Sequence, residues 1–83
     1  MRMYSLYKVT DGKWEIILHI RENDDYQFSY EPRPDIRAIV DINYNVAPHE
    51  MAKILMEQVL HCDAVEVHTL SGQGFFMSRH DAD

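Results

Sequence analysis

Trp14-Glu15-Ile16-Ile17-Leu18-His19-Ile20 is the stretch whose reading decides the fold. Taken with a period of two, Trp14, Ile16, Leu18 and Ile20 share one face, and Glu15, Ile17 and His19 share the other. Successive strand side chains point to opposite sides of a sheet, so this is the pattern of a half-buried β-strand. The same beat recurs downstream. Tyr26, Phe28 and Tyr30 alternate with Gln27 and Ser29, and Ile36, Ala38, Val40 and Ile42 alternate with Arg37, Ile39 and Asp41. The expectation is a sheet with one apolar and one mostly polar face.

Working outward, Met3 to Val9 reads as a first strand, with Tyr4, Leu6, Tyr7 and Val9 as β-formers. Its blurred alternation fits an edge strand or one buried on both sides. Thr10-Asp11-Gly12-Lys13 is a tight hairpin turn, because Asp-Gly accepts the positive φ such turns require. Arg21 to Asp25 is a polar turn, and Glu31-Pro32-Arg33-Pro34-Asp35 is a loop, since its prolines lack ladder donors. Ile36 to Ile42 admits two readings: a helix capped by Asp35 with Ile36, Ile39 and Val40 on one side, or a strand. β-branched content and alternation favour the strand.

A helix is expected from Pro48 to His61. Proline suits its first position, and Glu50 and His61 suit the dipole at its two ends. Met51, Ala52, Leu55, Met56, Val59 and Leu60 fall on one half of the wheel; Glu50, Lys53, Glu57, Gln58 and His61 fall on the other. Ala64 to Leu70 is the next strand, Ser71-Gly72-Gln73-Gly74 a turn, Phe75 to Met77 a last strand, and residues 79–83 a frayed tail. The expected architecture is α+β in the order β-β-β-β-α-β-β. A four-stranded antiparallel β-meander carries one amphipathic helix across it and ends in a C-terminal β-hairpin, all in one domain over residues 1–83. The hairpin either extends the sheet, folds over its outer face or packs on a second subunit.

Composition narrows the function classes. With 83 residues, the chain sits near the lower limit for folding alone. Fourteen acidic against eight basic side chains give a formal charge of -6, which opposes binding to phosphate backbones. The acids are dispersed rather than gathered on one segment, which is the pattern of solubility more than of nucleic-acid mimicry. Cys62 is the single cysteine, so no intrachain disulfide forms and a reducing, cytoplasmic setting is expected. Met1 to Tyr4 lacks a signal-peptide apolar run, and no stretch approaches a membrane span.

No catalytic, metal or cofactor motif stands out. The five histidines, His19, His49, His61, His68 and His80, show no H-x-x-x-H or H-x-H spacing, and Cys62 has no C-x-x-C partner. Ser71-Gly72-Gln73-Gly74 lacks the lysine and the following helix of a phosphate loop. Glu66 and His68 lie two apart on one strand and so face the same side, a pair able to do acid–base work, with His19 within reach if the strands adjoin. Apolar residues on polar phases are the stronger signal. Ile17 and Ile39 lie on the outward phase of their strands, Leu70 shares the phase of Glu66 and His68, and Ile54 sits on the polar half of the helix. An apolar patch of Ile17 and Ile39, rimmed by Glu15, His19, Arg37 and Asp41, would be a protein–protein surface. The reading is a non-enzymatic, acidic protein-binding module of regulatory or accessory role (an adaptor or inhibitor), expected to form a homodimer. Ile17, Ile39 and Ile54 are its expected contact residues, with no cofactor, no direct nucleic-acid binding and no membrane. The alternatives are a small enzyme or metal-dependent module using Glu66 and His68 with His19, and an acidic mimic of nucleic acid.

Overall fold

In the computed structural model, which describes residues 2–69 and the backbone of the strand at 74–78, an antiparallel sheet is backed on one face by helices. The elements in chain order are β1 (Arg2–Thr10), β2 (Lys13–Glu22), β3 (Phe28–Pro32), a 3-10 turn (Pro34–Ile36), α1 (Arg37–Ile42), α2 (Pro48–Gln58), β4 (Ala64–Thr69) and β5 (Gly74–Ser78). The strands lie in the order β3-β2-β1-β4-β5, every neighbouring pair antiparallel. The first strand is therefore central. It is flanked by β2 on one side and, after the helical excursion, by β4 on the other. The two C-terminal strands continue this one sheet rather than forming a separate hairpin over its face. Leu70, residues 71–73 of the expected turn and the expected tail at 79–83 lie outside the described residues.

Asp11-Gly12 forms the anticipated two-residue turn between Thr10 and Lys13, with φ of 52° and 76°. A side chain at Gly12 would meet nothing within 4 Å, so glycine is favoured there by the left-handed backbone and not by crowding. The following turn is built on Asn23, whose side-chain oxygen accepts from the Asp25 and Gln27 N–H groups at 2.9 and 3.0 Å. It holds Tyr26 at φ 61°, outside any strand and 80% exposed, so the expected third strand starts two residues late and loses its first inward aromatic.

The fourth strand of the expected meander is a helix. Pro34 opens a 3-10 turn that runs into α1, and Ile36 and Val40, four residues apart, are 1% and 0% exposed. Strand pairing would have placed Ile36, Ala38, Val40 and Ile42 on one buried face; instead Ala38 and Ile42 are exposed. Burial of the i, i+4 pair against the sheet outweighs the local β-preference of Ile and Val. α2 carries Met51, Ala52, Leu55 and Met56 into the same core as expected. It ends at Gln58, three residues early, where the Leu60 N–H reaches back to the Leu55 carbonyl at 2.8 Å and turns the chain toward β4.

The core lies between the helices and the inner sheet face, from Leu6, Ile17, Leu18, Ile20, Val65 and Val67 below and Ile36, Val40, Met51, Leu55 and Met56 above. The half-buried Tyr30 hydroxyl donates to the Val46 carbonyl at 2.7 Å, and its partial burial raises its pKa against the opposing pull of the hydrogen bond. At one end of the inner face, Arg33 binds Glu15 and Asp35. No helix among the described residues is long and apolar enough to cross a membrane.

Candidate functional site on the open sheet face

The period-two beat breaks inside β2. Leu6 stands opposite Leu18, but its neighbour Tyr7 stands opposite Ile16, which leaves Ile17 without a partner on β1. This is a β-bulge: one extra residue on one strand shifts the phase of everything before it. The Ile17 carbonyl accepts from the Arg33 N–H at 3.0 Å, so the bulge is satisfied from the residue just after β3. Beyond it, Leu18 and Ile20 face the core as the alternation predicts. Before it, the faces exchange. Ile17 is 1% exposed and belongs to the core; Ile16 is 40% exposed and Trp14 54%.

Three expectations are thereby corrected. Trp14 and Ile16 are on the outer face, not under the helix. Ile17 is not a surface contact. The patch of Ile17 with Ile39 does not form, because Ile39 lies on α1, half-buried against the core, across the sheet from the outer face. Ile54 is half-buried on α2.

Register places Met3, Ser5, Tyr7 and Val9 of β1, Trp14, Ile16, His19 and Arg21 of β2, Ser29 and Glu31 of β3, and Glu66 and His68 of β4 on the outer face. Its centre is a cluster of rings. Tyr7 lies 5.1 Å from His68 and 6.3 Å from Trp14, with Trp14 and His68 6.0 Å apart, all in tilted or edge-to-face arrangement. Such geometry aligns ring edges with ring faces and contributes beyond simple area burial. The His68 Nε2 lies 2.7 Å from the Glu66 carboxylate, which is only 15% exposed. The expected same-side pair therefore exists, and it stiffens one wall of the cluster.

Toward the β3 side the face turns polar. Ser5 stands between His68 and His19 in register, and its hydroxyl is 3.1 Å from the His19 Nδ1. Glu31 follows as the next cross-strand neighbour of His19. An open depression of about 270 Å³ lies here, lined by Met3, His19, Ile20, Arg21, Ser29 and Glu31. His19 and His68 thus share the face, separated by the width of β1. Among the described residues no group of three His, Cys, Asp or Glu side chains is placed to hold a metal ion. Chemically the face offers a half-exposed aromatic platform with hydrogen-bonding groups on its flank. Sequence reasoning missed Tyr7, Trp14 and Ile16 as outer residues. The available signal was Ile16-Ile17-Leu18 itself, three consecutive apolar residues that strict alternation cannot accommodate.

No protein-family model, no curated protein and no solved structure matches this chain.

Proposed function

We propose that this chain is a protein-binding module of regulatory or accessory role that works through its open sheet face. The observation that carries the reading is Trp14, the only tryptophan, held 54% exposed within a ring cluster on a face that no described element covers. Tryptophan and tyrosine dominate the energetics of protein interfaces because they offer large, stiff, amphipathic area. Ile16 and Met3, 40% and 38% exposed, extend the apolar surface along the face. Arg21, His19, Ser29 and Glu31 form a polar margin, the anatomy expected of a contact patch. The test is capture of binding proteins by the wild-type chain, Trp14→Asp and Ile42→Asp, the last altering an exposed residue of the helical layer. A partner retained by Ile42→Asp and lost by Trp14→Asp supports the reading. A partner retained by Trp14→Asp overturns it.

A second reading is favoured by the Glu66–His68 contact and the Ser5–His19 hydrogen bond, which could move a proton on a bound small molecule. In that case His68→Ala abolishes turnover of a substrate found by screening, and turnover that survives His68→Ala overturns this second reading.

A further inference from the structure

We infer that the partner of the open face is a second copy of this chain, giving a sheet-on-sheet homodimer with helices on both outer sides. This rests on the docking role of the face and names its occupant.

Charge is the first argument. By register the described outer face carries Arg21, Glu31 and Glu66 as its formal charges, one basic against two acidic, or -1. The whole chain carries -6. The remaining described acids (Asp11, Glu15 and Glu22 among them) lie on the inner phase, the turns and the helices. Two copies of an acidic molecule repel in most orientations. The outer face carries only -1 and presents Trp14, Ile16 and Met3, so a face-on approach joins exposed apolar area at small electrostatic cost.

Area is the second. At about 4.8 Å between strands and 3.3 Å per residue, strands of these lengths present a plane of roughly 550 Å². Side-chain relief raises the accessible area toward the roughly 800 Å² per partner that specific interfaces bury. A partner must therefore use most of the face, and a second sheet of the same outline can do so. Two twisted antiparallel sheets pack face to face about 10 Å apart at a modest angle, with side chains interdigitating. A two-fold axis makes the contact closed and self-complementary, so it stops at two copies. The size of the chain is the third argument. A domain this small buries a limited core, and a second sheet adds a second apolar layer for Trp14, Tyr7 and Ile16.

The test is light scattering with sedimentation, run from micromolar to millimolar concentration on the wild-type chain, Trp14→Ala, Ile16→Lys and Ile42→Asp. The weight-average mass of the wild type should rise from 9.8 kDa toward twice that value. Trp14→Ala and Ile16→Lys should weaken association by about tenfold or more, as expected of central interface residues. Ile42→Asp, altering a residue 75% exposed on the other layer, should leave it unchanged. All the variants should keep the far-UV circular dichroism of the wild type. A wild-type mass that stays at one chain overturns the second copy alone, since Trp14-dependent capture of another protein would still stand. Dimers that ignore both outer-face changes overturn this inference and count against the docking role together. Loss of the folded spectrum in Trp14→Ala or Ile16→Lys would make those residues core and overturn it as well.

Discussion

Ile16 and Ile17 are identical neighbours with opposite environments, 40% and 1% exposed. Their difference is a direct test of the bulge. Ile17→Ala empties a site in the core and should cost about 2–4 kcal/mol in chemical denaturation. Ile16→Ala should change monomer stability by less than about 1 kcal/mol. Asp35 gives a prediction with a pH sign. Hydrogen bonds from the Arg33 guanidinium hold its carboxyl below the usual aspartate range. A carboxyl depressed in the folded state contributes stability above its unfolded pKa, and that contribution fades as pH falls through the lower folded value. Asp35→Asn should therefore be slightly less stable than wild type above about pH 4, with the gap closing at more acid pH. The effect is small because the pair is largely open to solvent. Tyr26 is the third residue of note, a bulky side chain at positive φ with 80% exposure. Tyr26→Gly should stabilise the fold by about 0.5–1 kcal/mol in thermal melts by releasing left-handed strain.

The elements show where one-dimensional patterning succeeds and fails. The Asp11-Gly12 turn and the apolar face of α2 were legible because each depends on local chemistry: a dihedral requirement in one case and a wheel of side chains in the other. The 36–42 segment was not, because isoleucines and valines at both i+2 and i+4 spacing satisfy strand and helix alike. Only the burial of Ile36 and Val40 against the sheet decides it. A substitution pair separates the two forms. In α1 Val40 is fully buried and Ile42 exposed, whereas a strand would place them together on one face. Val40→Ala should lower stability by about 1–3 kcal/mol, and Ile42→Ala by almost nothing. Equal losses would restore the strand. The bulge in β2 was hidden for a different reason. The run Ile16-Ile17-Leu18 breaks the alternation, but no turn residue or glycine marks where, and only the pairing with β1 fixes Ile17 as the unpaired residue.

At the scale of the molecule, a single helical layer covers one side of the sheet, and no described element covers the other. The two-layer α+β class was readable from the alternation and the amphipathic helix. The side of the sheet that Trp14 occupies was not, since that depends on the one-residue shift at Ile17. The Glu66–His68 pair was legible, because i, i+2 on a strand fixes a common side whatever the register. Its neighbours Tyr7 and Trp14 come from other strands and required the sheet order.

The central claim is that the bulge turns Trp14 outward and makes it the anchor of a contact face. The most direct measurement is acrylamide quenching and emission of this single tryptophan in the dilute wild-type chain. An exposed Trp14 predicts red-shifted emission and efficient quenching, both lost as association proceeds. Blue, quench-resistant emission already at the lowest concentration, in a monomer, would place Trp14 under the helices as unbroken alternation requires and contradict the account.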